Sequence, residues 1–468
     1  MYMGDCLYRA LIKYDYELNI GNSNVSTYLQ EHFEDYLKDI EDSVKQDNPF
    51  LGDEFSKQVS DKLPFISHIC NEIVTVSKFY RDGYIKNAYC KAYELFDAMY
   101  PYYLSRFSWR ESSGYFYRIR QGDFRISNPT EAKIQKAKLF HIKDKLRDII
   151  GAYRYSVPGF PCLYLSSDIE LAWFECGMPR QFSFCQMAID EDGENALRLV
   201  DFSNRPIDLL SNIHVWLHNA KNEEERSKIH TYLINYIITY PLAAASSLKI
   251  TKRESKFVEE YVIPQIFMQW IRENEKFDGI RYKSSLATNL VKGMGAINIA
   301  LPVNKFRADG LCDRLTSKIT VSDIAYFNVD EAFERYHQHI DDIENFKNEL
   351  ISDSRSSSVW YDYMSNIVEL SETIVKTYRS LMRGECTDRD LVFGHIDCCH
   401  DYVSTIYKAK QAILIDCDKR SQQECGKPAD KALISSQIDR FYELAMNVLK
   451  KHMVFHFQFE QPQNHEKI

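Results

Sequence analysis

Residues 153–175 read YRYSVPGFPCLYLSSDIELAWFE, setting a basic residue, a rigid turn, an apolar strand and a carboxylate side by side. Arg154 precedes Val157-Pro158-Gly159-Phe160-Pro161, where two prolines fix φ and Gly159 permits a sharp reversal. Cys162-Leu163-Tyr164-Leu165 then has the apolar content of a short buried strand. Ser166-Ser167-Asp168 supplies N-cap residues for a helix over Ile169 to Cys176. This is a strand–turn–helix unit. Such units deliver polar side chains to strand ends and first helical turns, where ligands collect in α/β and α+β folds.

Working outward, Tyr115-Phe116-Tyr117-Arg118-Ile119-Arg120 is aromatic and β-branched with basic residues interleaved, as suits a strand carrying arginines to a cleft. Downstream, Gln181 to Met187 and Ala196 to Asp201 alternate like strands. A helical insert follows from Pro206 through Lys256, then a helix from Tyr261 to near Asn274, and Gly279 to Ser284 and Ala296 to Leu301 read as the last strands. The pattern predicts an α+β block with a mixed sheet over 106–305. Residues 1–105 are helical: Ile66, Ile69, Ile73, Val76 and Tyr80 recur at spacings of three and four, Gly83 interrupts, and Ala88, Ala92, Leu95, Phe96 and Met99 resume the period. Phe33 to Val44 reads as another amphipathic helix. Residues 306–468 are helical again, with one helix through Ile340, Ile343 and Leu350, a second through Tyr363, Ile367, Leu370 and Ile374, and further helices over Leu391 to Asp416 and Lys431 to Lys451. Three units are therefore expected, 1–105, 106–305 and 306–468.

At 468 residues the chain exceeds one typical core, and 45% hydrophobic with 27% charged residues is ordinary for a globular protein. A net charge of −9 argues against a bulk nucleic-acid binder, which carries a basic face or tail. Twelve irregularly spaced cysteines in a chain without a signal peptide predict reduced thiols and a cytoplasmic location. The longest uncharged stretch, Tyr232 to Leu248, is near the minimum spanning length of ~17 residues. Asn235, Pro241 and Ser246-Ser247 interrupt it, so it reads as a buried helix followed by a Pro-marked break, and no membrane segment is expected.

The central stretch also resembles the RES domain family, named for an arginine, a glutamate and a serine, whose members consume NAD and often act as toxins paired with a DNA-binding antitoxin. The residues carrying the resemblance are Tyr117-Arg118, Arg154, Tyr164 with Ser166, Glu175, and Asp278-Gly279-Ile280-Arg281-Tyr282-Lys283-Ser284, over roughly 106–305. Order and combined spacing carry it rather than any one motif. A long interval between Arg118 and Arg154, with an inserted or extended helix over Asn128 to Ile150, departs from the family pattern and leaves Arg118, Arg120 and Arg154 as alternatives. The resemblance implies a mixed-sheet core of the ADP-ribosyltransferase type, NAD as substrate and an antitoxin-like partner plugging the NAD cleft. The two helical flanks could supply that control in cis, in which case removing 306–468 raises turnover.

The residue types fit that chemistry. Cleaving the nicotinamide–ribose bond passes through an oxocarbenium-like state, which a carboxylate near the anomeric carbon stabilises. Glu175 is the candidate, with Trp173 and Phe174 beside it to exclude water. Guanidinium groups bind a pyrophosphate in bidentate fashion, which makes Arg118 and Arg154 candidates and Arg120 a reserve. Tyr117 and Tyr164 could stack on nicotinamide or bond its ribose. Ser284 could orient the carboxamide or ribose, with Ser285 too close to separate from it. Water or phosphate as acceptor gives a glycohydrolase or phosphorylase, and a protein acceptor gives an ADP-ribosyltransferase. A module that binds nucleotide or partner without catalysis is the other class. Gly293-Met294-Gly295 lacks the third glycine and the strand–helix context of a dinucleotide fingerprint. His395, Cys398, Cys399 and His400 cannot all face one ion from a single helix, so Cys398 and Cys399 read as packing thiols and no metal is expected.

Overall fold

A mixed sheet lies at the centre, as the alternating segments predict. Its strands are β1 (Tyr115–Gln121), β2 (Cys162–Ser166), β3 (Gln181–Ile189), β4 (Leu199–Phe202), β5 (Gly279–Lys283), β6 (Ile297–Pro302), β7 (Ile319–Val321) and β8 (Ala325–Asn328). The computed structural model describes residues 5–14, 18–103, 114–125, 131–189, 196–250, 255–274, 276–284, 296–353, 361–383, 389–449, 465 and 467. The strands run in the order β4-β5-β6-β2-β1-β3-β7, with β8 also paired to β3. Among these pairs only β4 with β5 is parallel. The quoted stretch supplies β2, mid-sheet, and its turn is held: Gly159, at φ +80°, donates to the Ile150 carbonyl, and Gln265 Nε2 donates to the carbonyls of Tyr153 and Ser156.

Helices cover both faces. In chain order they are α1 (Cys6–Ile12), α2 (Val25–Val44), α3 (Asp53–Arg81), α4 (Ile85–Met99), α5 (Ala132–Leu139), α6 (Ile169–Glu175), α7 (Pro206–Asn219), α8 (Glu223–Ser246) and α9 (Val262–Glu273). Beyond them come α10 (Asp313–Lys318), α11 (Val329–Ser352), α12 (Tyr361–Arg383), α13 (Arg389–Lys408), α14 (Lys410–Cys425) and α15 (Lys431–Leu449). Register puts Phe184, Ile119, Tyr164, Ala300, Ile280 and Val200 on one face, because side chains alternate along each strand. Two apolar cores divide that face. Val200, Ile280 and Ala300 join the core shared by α1–α4 and α7–α9. Ile119, Phe182 and Phe184, with Ala172, Trp173 and Phe174 of α6, join the core enclosed by α11–α15. On the opposite face Phe116, Leu163, Leu165, Cys185, Ile299 and Leu301 pack with Ala137 and Leu139 of α5 and Leu315 of α10. That face approaches closely: a Cβ on Gly279 would lie 2.3 Å from the Ala300 carbonyl oxygen.

Several details depart from the sequence reading. Two strands, β7 and β8, lie beyond residue 305, after the short α10, and the long C-terminal helices begin at Val329. One apolar core joins buried residues from Leu7 to Tyr103 with others from Tyr155 to Ala300. The segment read as one helix from Leu391 to Asp416 is two, separated at Ala409. Nor does Pro241 end its helix. Proline lacks the N–H that would bond the Ile237 carbonyl, and the Tyr36 hydroxyl donates to that carbonyl at 2.9 Å instead, so α8 continues to Ser246. Between Asn128 and Ile150 the described residues form the short α5 and a 3₁₀ turn. Among the described residues no helix is long and apolar enough to cross a membrane.

Candidate functional site

Five strands contribute to one transverse row. Gln186 on β3 is in register with Tyr117 on β1, Tyr117 with Ser166 on β2, Ser166 with Asn298 on β6, and Asn298 with Tyr282 on β5. All five therefore share the face that the two helical cores divide. Polar contacts link the row: Gln186 Nε2 donates to the Tyr117 hydroxyl at 3.2 Å, and Ser166 Oγ donates to Asn298 Oδ1 at 2.7 Å.

Glu175 reaches this row from α6. The helix starts directly after β2 and is short, with its chain turned out through Gly177 and Met178, whose N–H groups donate to Phe174 and Trp173 carbonyls. Trp173 and Phe174 bury their rings in the C-terminal helical core, worth roughly 1.5–3 kcal/mol each, and this fixes the side of the helix that carries Glu175. Glu175 Oε1 accepts from Ser284 Oγ at 2.5 Å and from Asn298 Nδ2 at 2.7 Å. Ser284, one residue past β5, and Asn298 on β6 thus meet one carboxylate oxygen.

Tyr282 connects this carboxylate to Arg154. Burial, and then the Glu175 charge, push the Tyr282 hydroxyl well above its ordinary value, while Arg154 acts in the opposite sense. Arg154 is buried, donates to the carbonyls of Ser246 and Leu248 at 3.0 and 2.8 Å, and lies over the Tyr261 ring, so it caps the end of α8 beside the site. The rings of Tyr155 and Tyr282 pack with centroids 4.6 Å apart. Tyr164 lies one step along the same face and donates to Ser156 Oγ at 3.0 Å. Burial is the main cause that raises the hydroxyl values of Tyr164 and Tyr117.

Of the expected residues, the structure brings Glu175 and Ser284 into contact, puts Tyr117 and Tyr164 on the same face of the sheet, and sets Arg154 where its charge acts on Tyr282. Arg118 and Arg120 alternate with Tyr117 and belong to the other side of β1. Arg118 Nη1 donates to the Tyr164 carbonyl at 2.9 Å, and Arg120 Nη2 donates to the Phe140 carbonyl at 3.2 Å. Burial first, and the neighbouring Arg118 charge second, bring Arg120 down to about 10. Ser285 and Gly293-Met294-Gly295 lie outside the described residues, as does the side chain of His395. Among the described residues no group of three His, Cys, Asp or Glu side chains is placed to hold a metal ion; Cys399 is buried and Cys398 exposed.

Asn298 was not singled out from sequence. Its signal was there, an amide in the middle of the otherwise apolar Ala296-Ile297-Asn298-Ile299-Ala300-Leu301, where a buried polar group needs partners. A fixed carboxylate beside tyrosine hydroxyls can stabilise positive charge developing on a bound ring.

The chain is 25% identical over 374 residues to a protein of Bacillus subtilis (strain 168) named "Putative toxin YopC", an alignment that spans 78% of each chain. No family model matches the chain, and no solved structure matches it.

Proposed function

We propose that this chain is a toxin-like enzyme that cleaves NAD at the nicotinamide–ribose bond, with water or inorganic phosphate as acceptor. The observation that carries the reading is the Glu175 carboxylate, held by Ser284 and Asn298 at a polar row of the sheet that includes Tyr117 and Tyr282. A carboxylate so held offers negative charge where a ribosyl cation develops, and the hydroxyls of Tyr117, Tyr164 and Tyr282 suit the ribose and carboxamide of NAD. The resemblance to the RES family and the similarity to a protein named as a toxin point the same way. Arg154, whose charge acts on Tyr282, is the guanidinium assigned to this chemistry. NAD is the substrate, no metal takes part, and an antitoxin-like protein is the proposed partner in a cytoplasmic setting.

A non-catalytic binding module is favoured by one observation. Arg118 and Arg120 lie on the other side of β1 from Tyr117, and Arg154 spends donors on the carbonyls of Ser246 and Leu248, so two of the three arginines expected for the pyrophosphate face away from Glu175. Incubating the full chain with NAD, with and without phosphate, and quantifying nicotinamide, ADP-ribose and its phosphorylated product decides between the two. Release that falls by about a thousandfold in Glu175→Gln is the expected result, since the lost charge is worth about 4 kcal/mol in the transition state. NAD binding without release, equal in the wild type and the variant, would establish the binding module instead.

A further inference from the structure

Asn298 is 3% exposed in the middle of an apolar strand, between a hydroxyl and a carboxylate. Its two amide ends face opposite chemistry. A carboxylate oxygen only accepts, so the Nδ2 end must face Glu175 and the Oδ1 end must face Ser166, whose hydroxyl donates to it. Ser166 belongs to β2, the strand from which α6 departs, so the lock and the helix it serves are continuous in the chain. Glu175 occupies the last turn of α6, where the helix carbonyls disfavour negative charge. Donors brought by Ser284, one residue past β5, and by Asn298 on β6 oppose that disadvantage.

We infer that Asn298 is the positioning residue that holds Glu175 ionised and aimed across the sheet, with Ser166 locking the amide, so that the carboxylate serves as a fixed anion and not as a proton donor. The role rests on the reading of Glu175 as the group facing the scissile sugar. Among the titratable and charged groups near it, Tyr282 on β5 feels the Glu175 charge and is opposed by Arg154 from the loop before β2; Asp168, ahead of α6, acts on Tyr117 of β1, and Cys176 follows Glu175 in the chain. The C-terminal helices meet α6 through apolar Trp173 and Phe174.

Two readouts on the full chain test this. Carbon-13-labelled glutamate carboxyl resonances, with Glu175 assigned by its absence in Glu175→Gln, follow ionisation without any turnover. Initial rates of nicotinamide release give kcat and KM against pH. Asn298→Asp keeps the side-chain shape but sets a second carboxylate against the first. The pair should then titrate with its upper step about one pH unit or more above the wild-type Glu175 midpoint, and the acid limb of kcat should move with it while KM for NAD stays within about threefold. Ser166→Ala, which leaves the donor in place but unlocks it, should lower kcat about tenfold and broaden the Glu175 resonance. A Glu175 titration unmoved in Asn298→Asp overturns the assignment whatever the rates do. Where that variant does not fold, a Ser166→Ala chain with wild-type kcat and an unchanged resonance overturns it equally. A folded wild-type chain that releases no nicotinamide sinks the NAD reading separately, and the titration still judges Asn298.

Discussion

Along one face of the sheet run Gln186, Tyr117, Ser166, Asn298 and Tyr282; one residue further along β3, β1, β2 and β6, on the other face, come Met187, Phe116, Leu165 and Ile299. The first row is a hydrogen-bonded polar stripe that receives Glu175, and the second is a dry core closed by α5 and α10. A site in this molecule is one residue wide, and a register slip of one position would exchange it for leucine and isoleucine. The faces also differ in their cover. Two separate helical cores divide the polar face, and the second face has a single one. The stripe lies between the two modules, each of which supports a different part of it.

That support gives the largest expected effect. Removing 329–468 leaves Ile119, Phe182, Phe184, Trp173 and Phe174 without the helices that bury them. At roughly 1.5–3 kcal/mol per side chain the loss is on the order of 10 kcal/mol, comparable to the whole stability of a domain. The truncated chain should therefore be insoluble or lack a cooperative melt, and α6 should lose the packing that aims Glu175. This is the reverse of relief from inhibition in cis. A soluble 1–328 fragment that melts cooperatively and releases nicotinamide faster than the full chain would restore the inhibitory role of the C-terminal helices.

A pair of substitutions sets the two faces against each other directly. Ser284→Ala removes one of the two donors on Glu175 Oε1 and should lower kcat/KM about a hundredfold, near 2.7 kcal/mol, with the melting temperature almost unchanged. Arg118→Met removes the donor to the Tyr164 carbonyl and should do the converse, costing about 1–3 kcal/mol of stability with kcat/KM for NAD within a few-fold of wild type. Paired chemical-denaturation curves and rate measurements on the two variants check both. Should Arg118→Met abolish turnover while leaving stability intact, Arg118 belongs with the substrate and the division by face fails for β1.

The same parity explains what could be read in the chain and what could not. Strands in YFYRIR, CLYLS and INIALP, and the helix ending at Glu175, followed from local pattern because turns and apolar runs are local. Alternation within YFYRIR already forbids Tyr117 and Arg118 from facing the same way, so that division was legible from sequence. The partners were not. Asn298 lies 123 residues from Glu175 and Ser284 lies 109 away, and only the pairing of β5 with β6 and of β6 with β2 brings them together. Pro241 likewise reads as a helix break until the distant Tyr36 supplies the missing donor. Beyond residue 305, the three- and four-residue β7 and β8 are too short to show a period of their own and exist because β3 has an open edge to pair with.

The second face also holds a histidine, and it yields the smallest effect and a distinct pH signature. His141 Nε2 accepts the Cys312 N–H at 2.8 Å, so Nδ1 carries the proton and donates to the Ile142 carbonyl at 2.9 Å. The Nε2 contact requires a neutral ring, because a protonated Nε2 cannot accept the Cys312 N–H. Burial first, opposed by that backbone bond and reinforced by the Arg120 and Arg118 charges, lowers its value from 6.5 to about 4. Between those two values the unfolded chain binds the proton that the folded chain refuses, so folding loses stability as pH falls from about 6.5 and gains nothing further above it. At pH 5 the loss amounts to about 2 kcal/mol. His32, in the helices over the polar face, is lowered to about 4 by burial and adds to the trend. Denaturation midpoints measured from pH 7 to pH 5 should fall in the wild type and fall less in His141→Gln, whose amide can accept the same N–H without a proton to bind. Equal slopes in the two chains would place the acid sensitivity on the polar face, with His32, and leave the second face without a titrating group in that range.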